Sequence, residues 1–220
     1  MPTDILPGYA YEPDIARYRN PQTGRFVSRT DINNLLREQV QDAESRFHDL
    51  AIACYEGDIS AATFVEQMHI EQQRHTLQNI ALAVGGFALL SYALLSMADV
   101  SLGEQRAKVI GTARDVADDK ISLPQLLNRV LGYVGEGRRI YYEALRQTAP
   151  VPPAGMTTIY RRVLGDAQHC ADCLALYDAG WSTELIPPGS DSVCGTHCRC
   201  SVVQRDVPTV ELDQWLGTKR

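Results

Sequence analysis

The chain has 220 residues and a formal net charge of -6. Its 45% hydrophobic and 22% charged residues are ordinary globular proportions, which exclude a wholly disordered or fibrous chain. The acidic balance argues against free DNA or an anionic membrane surface as the obvious partner, because binding phosphate needs a basic face. Met1 to Ala10 carries no basic stretch followed by an apolar run, so synthesis in the cytoplasm is expected.

Residues 1–30 are punctuated by Pro, Gly, Tyr and Asn without a helical period, and read as an extended arm. Asn20-Pro21-Gln22-Thr23-Gly24 is a turn signal between Tyr18-Arg19 and Arg25-Phe26-Val27, which suits a small hairpin. A helical body is expected over 31–148. Ile32, Leu35, Leu36, Val40, Ala43, Phe47, Leu50, Ala51 and Cys54 recur at steps of three and four, predicting a helix that Gly57 ends. Cys54 falls on its apolar face as a core residue. Asp58 or Ser60 caps a second helix that stops near Gly85-Gly86, and residues 87–98 read as a short apolar helix. Within the second helix His69 and His75 stand six apart in HIEQQRH, on opposed faces, and read as solvated helix surface. The uncharged stretch Ile80–Ala98 is near bilayer length. It is rich in Ala, Gly and Ser and broken at Gly85-Gly86, so a buried helical hairpin or an oligomer core is expected rather than a membrane span.

Two capping boxes follow. Ser101-Leu-Gly-Glu104 predicts a helix start leading to about Asp119, and Ser122-Leu-Pro-Gln125 predicts another leading to about Gln147. Gly135 and Gly137 are expected to loosen the latter in its middle. Residues 149–156 hold Pro150, Pro152 and Pro153 and read as a stiff linker. Thr157–Leu164 then reads as a short strand, opening a cysteine-rich module with its tail over 157–220.

Five of the six cysteines of the chain lie within residues 170–200. A C-x-x-C turn such as Cys170-x-x-Cys173 directs two thiolates at one metal, and a second cluster returned by a loop completes a tetrahedron. In a reducing compartment this arrangement favours zinc over disulfides. Cys170, Cys173 and Cys194 are the expected ligands, with the fourth position falling to Cys198 or Cys200 and His197 as a further candidate. His169 is set aside because adjacent residues rarely share one ion. The loop from Leu174 to Val193 has few large apolar residues, so the zinc is expected to be structural. The fold class expected is therefore mainly α: a helical body with an extended N-terminal arm and a small C-terminal zinc-stapled α+β module.

The string His169-Cys170-x-x-Cys173, then Gly180, Pro187-Pro188-Gly189 and Cys194-x-x-x-Cys198-Arg199-Cys200, resembles the C-terminal module of phage head morphogenesis proteins, the minor capsid proteins of the phage Mu F-like type. That family often ends the module in His-Pro-x-Cys-Arg-Cys, and here Cys194 stands roughly where the histidine would be, with no proline after it. The paired helices around Tyr55-Glu-Gly-Asp-Ile and the Tyr18–Val27 arm also have the look of phage structural proteins. The resemblance implies a virion component made and assembled in the host cytoplasm, with the portal or major capsid protein as partner and a homo-oligomeric state in the particle. A neck or tail position is an alternative. So is a nucleic-acid-binding zinc module touching packaged genome, for which Arg161, Arg162, Arg199 and Arg205 are the nearby basic residues. An enzyme is disfavoured by the residues themselves, since neither His-x-Glu beside Pro-Cys-x-x-Cys nor His-Glu-x-x-His occurs.

Overall fold

The three- and four-residue apolar period of residues 32–54 closes into a long helix, α1 (Arg29–Tyr55), ended by Gly57 at φ +82°. Ser60 caps the next helix, α2 (Ala61–Val84), its Oγ accepting the Thr63 amide at 3.1 Å. Two more long helices follow, α3 (Tyr92–Ala117) and α4 (Leu123–Thr148). These elements come from a computed structural model that describes residues 10–12, 17–19, 29–84, 90–148, 151–165, 168–188 and 198–218. The molecule is mainly α, with a small antiparallel sheet near its C-terminus. No helix among the described residues is long and apolar enough to cross a membrane.

In the arm, β1 (Ala10–Glu12) pairs antiparallel with β2 (Arg17–Arg19), Tyr11 facing Tyr18. The hairpin therefore lies before the Asn20–Gly24 turn on which it was expected to pivot; that turn and Arg25–Val27 lie outside the described residues, as does Gly85-Gly86.

The chain divides into two compact units, residues 1–145 and 146–220. In the first, Phe47 and Ala51 of α1, Phe64 and Met68 of α2, Val109 and Ala113 of α3, and Leu126 and Val130 of α4 form one buried cluster. Ile80, Leu94, Ala98, Ile140 and Ala144 form a second. Cys54 is buried in the first, as its helical position requires.

Three expectations fail in this unit. There is no helix start at Ser101. α3 runs unbroken through it from an N-cap at Ser91, whose side chain accepts the Leu94 amide. The Ser101 hydroxyl is buried and donates to Glu136 Oε1 at 3.0 Å. A cap signal and a buried interhelical hydrogen bond use the same residue type, and only packing separates them. Second, α4 is continuous through Gly135 and Gly137, and Gly137 makes room for a neighbour instead of loosening the helix. Third, His75 is not solvated but fully buried. By contrast the box at Ser122 forms as read: Gln125 Oε1 accepts the Ser122 amide at 2.8 Å.

The second unit is built on β3 (Met156–Val163), the expected strand, which pairs with β5 (Ser201–Pro208) through eight registered residues from Met156↔Pro208 to Val163↔Ser201. A two-residue strand, β4 (Trp181–Ser182), pairs with the other edge of β3. Between β3 and β4 lies a helix that periodicity did not announce, α5 (Ala171–Asp178), and a 3₁₀ turn (Thr209–Glu211) leads into the short α6 (Leu212–Trp215). Ile159, Trp181 and Val207 form the apolar core of this unit, with Val203, Leu212 and Trp215 packed on it. Trp181 meets Trp215 edge-on, ring centroids 6.3 Å apart.

Candidate metal centre

The β3–β5 ladder sets the site. Because Val163 faces Ser201, the residues just after β3 and those just before β5 must lie together. The first stretch leads through Gly165 and His169 into α5, and the second is Cys198-Arg199-Cys200. One register thus brings two sequence clusters, about 30 residues apart, to a single point.

There the sulfurs of Cys173, Cys198 and Cys200 all lie within 4.8 Å of one another, and all three residues are buried. Cys173 Sγ is 3.5 Å from Cys198 Sγ. That is far beyond a disulfide bond of about 2.05 Å, and close to the edge of about 3.8 Å expected of a tetrahedron with sulfur bonds near 2.3 Å. The three residues can hold a metal ion. Leu164 and Cys170 pack against them.

α5 supports this arrangement from below. Cys170 is its N-cap, extended at φ -71° and ψ 162°, and its sulfur accepts the Cys173 amide at 3.5 Å. Cys173 lies in the first turn, where unsatisfied amides and the helix dipole favour a thiolate. Burial pushes the Cys200 thiol above its ordinary pKa, and the neighbouring Cys198 adds to this. Cys200 therefore resists becoming a thiolate until a cation joins it.

His169 also reaches Cys200, although it was set aside on sequence grounds and lies outside the group of three. Its Nδ1 lies 3.6 Å from Cys200 Sγ, and its Nε2 lies 2.8 Å from the carbonyl oxygen of Gly165. The signal was present as the spacing His169-x-x-x-Cys173. It was discarded only because Cys170 was assumed to ligate. Gly165 is required in this turn: a Cβ there would collide with the backbone carbonyl of Arg199, the residue between Cys198 and Cys200.

Of the expected ligands, Cys173 and Cys198 fall in the three-sulfur group, and so does Cys200 alongside Cys198 rather than instead of it. Cys170 stands beside the group as the cap of α5. Cys194 and His197 lie outside the described residues.

Comparison of the chain with protein-family models, with curated proteins and with solved structures found no match.

Of the basic residues near the centre, Arg162 is buried and Arg161 half-buried, while Arg199 and Arg205 are exposed. Arg162 is 5% exposed and donates through Nη2 to the Ile186 carbonyl at 3.1 Å. It therefore offers no phosphate-binding surface. Facing Val202 in the register, it shares a side of the ladder with Cys200, two residues earlier. The Arg161 guanidinium lies 5.3 Å from the Tyr177 ring centroid. Arg205 lies 4.8 Å from that of Trp215 and 5.7 Å from that of Trp181. These are cation–π distances, and each costs the arginine part of its reach toward a nucleic acid.

Proposed function

We propose that this chain is a structural and assembly component of a tailed-phage virion, a minor head protein near the portal or capsid, whose C-terminal unit is stapled by one zinc ion. The observation that carries the metal half of this reading is the convergence of the buried sulfurs of Cys173, Cys198 and Cys200. Soft thiolates in a tetrahedral-sized cluster suit zinc. Their burial leaves little room for the water-bound open position that a catalytic zinc keeps, so the ion is structural. The unit needs such a staple because, among the described residues, its apolar core is centred on Ile159, Trp181 and Val207.

The virion half rests on the resemblance of the His169–Cys200 string to the phage head morphogenesis module and on the architecture it accompanies. A helical body and a small rigid knob give a protein that docks onto neighbours. The portal or major capsid protein is the partner this reading names, with several copies of the chain in each particle. The genome-binding alternative loses Arg162, which is buried, and keeps Arg199 and Arg205 as its exposed cations.

Two measurements test the proposal. Elemental analysis of the purified chain should find about one zinc per chain, lost in Cys173→Ser together with amide protection of β3 and β5. A metal-free chain with oxidised cysteines would overturn the staple. Mass spectrometry of purified particles from the phage that encodes the chain should recover it in fixed ratio to the portal protein. Its absence from both proheads and finished particles would overturn the virion role.

A further inference from the structure

We infer that His169, through Nδ1, is the fourth donor of this centre, and that Cys170 serves as a cap for α5 instead of a ligand. The inference rests on the metal-staple reading and refines it.

Two edges of the cluster already have the right length. The Cys173–Cys198 edge is 3.5 Å and the Cys200–His169 edge is 3.6 Å. For sulfur bonds near 2.3 Å and nitrogen bonds near 2.05 Å, a tetrahedron has edges of about 3.8 Å between sulfurs and about 3.6 Å between sulfur and nitrogen. The ring is also in the right tautomer. A carbonyl oxygen only accepts, so the 2.8 Å contact with Gly165 places the proton on Nε2. Nδ1 of the neutral ring is then a bare lone pair beside the Cys200 sulfur. A ligating histidine that donates its other N–H to a backbone carbonyl is the usual outer-shell arrangement at metal sites. Here the carbonyl belongs to Gly165, whose close fit to Arg199 ties the orientation of His169 to the turn carrying Cys198 and Cys200.

Charge points the same way. Three thiolates and an imidazole around a divalent ion sum to one negative charge, and four thiolates sum to two. Arg162 is the buried cation on this side of the ladder, and among the described residues its Nη1 has no hydrogen-bond partner. One negative charge beside one guanidinium is close to neutral, whereas a second would be left uncompensated in a buried site. Cys170 is the natural rival, because in C-x-x-C turns a ligand sulfur also accepts an amide. The group of three takes in neither Cys170 nor His169, so either would have to close in to complete a tetrahedron. The contact of Cys170 with the Cys173 amide is the one an N-cap requires, and the charge balance favours the imidazole. Serine caps helices well, so Cys170→Ser keeps the cap while removing the thiol.

The test is titration of the full chain with Co2+, reading the ligand-field and thiolate charge-transfer bands, with zinc affinity from chelator competition. The wild-type spectrum should be that of three sulfurs and one nitrogen. His169→Ala should lose at least about tenfold in affinity and change the ligand-field bands. His169→Cys should regain tight binding with a four-sulfur spectrum. Cys170→Ser should keep the wild-type spectrum, with affinity within about threefold. A four-sulfur spectrum in the wild type overturns the inference. So does an unchanged His169→Ala spectrum alongside loss of the fourth donor in Cys170→Ser, Cys194→Ser or His197→Ala. A wild-type chain that binds neither Co2+ nor Zn2+ overturns the metal reading itself, which separates the two failures.

Discussion

His75 shows what one buried side chain does to the acid stability of the helical body. Its ring lies between α2 and α4, with Nε2 3.1 Å from the Val134 carbonyl oxygen, Asn79 Nδ2 3.1 Å from Nδ1, and Phe47 edge-on to it. Burial lowers its pKa from 6.5 to about 4, and the Val134 carbonyl offsets only part of that. The sign follows directly. Between these two values the unfolded chain binds a proton that the folded chain refuses, so stability falls as pH drops from 6.5 toward 4 and levels off below. A shift of this size corresponds to about 3 kcal/mol. NMR should find the His75 ring neutral at pH 5, and denaturant unfolding should find the helical unit weaker at pH 5 than at pH 7. A His75 midpoint near 6.5 would contradict the burial. Glu136 adds to the trend. Burial alone would raise its pKa, but Arg139, with Nε 3.0 Å from Oε2, and the Ser101 hydroxyl more than offset this and hold it below the ordinary value. None of this was legible in HIEQQRH. Helical periodicity ranks positions by polarity, and a histidine at 75 is polar whether or not a neighbouring helix supplies partners. The cysteines were legible in part, because their chemistry narrows the choice of neighbour before the fold is known: Cys173, Cys198 and Cys200 come together, whereas Cys170, read as a ligand, lies outside that group.

At the scale of the element, the glycines of the helices behave in opposite ways, and the difference is measurable. In α3, Gly103 and Gly111 are exposed, with nothing within 4 Å of where a Cβ would sit. Alanine at either should stabilise the helical unit by about 1 kcal/mol, the difference in helix propensity. In α4, a Cβ on Gly137 would enter the imidazole ring of His75. There the same substitution should destabilise by about 2 kcal/mol, since overpacking outweighs propensity. Chemical denaturation of the three variants decides the signs. If Gly137→Ala is as stabilising as the other two, the His75 contact is wrong. Most element boundaries could be read because end signals are local: Gly57, Ser60 and the Ser122–Gln125 box all act within four residues. The α3 start was misplaced because Ser101 bonds a residue 35 positions away, on α4. The β3–β5 ladder was half read for the same reason. Thr157–Leu164 has strand composition, but its partner is known only from the register.

For the whole molecule, the two units should respond to metal separately. The buried clusters of the first unit hold Cys54 but none of the candidate ligands, and the three-sulfur group lies wholly in the second. An ion that binds only the folded form stabilises by RT ln(1 + [L]/Kd), about 4 kcal/mol at a thousandfold excess over Kd. That is comparable to everything a core as small as that of Ile159, Trp181 and Val207 supplies by itself. Strong chelation should therefore open β3, α5 and β5 while α1–α4 keep their structure. Hydrogen exchange should show protection lost from 156–163 and 201–208 and retained in the buried turns around Phe47, Phe64 and Val130. Far-ultraviolet dichroism should fall little, because the helices are nearly all in the first unit. A thermal scan should resolve two transitions, of which only one moves with zinc concentration. Helices that melt with the metal would show that the units are energetically one. A second unit indifferent to chelator would show that its sulfurs hold no ion and that the β3–β5 ladder stands unaided.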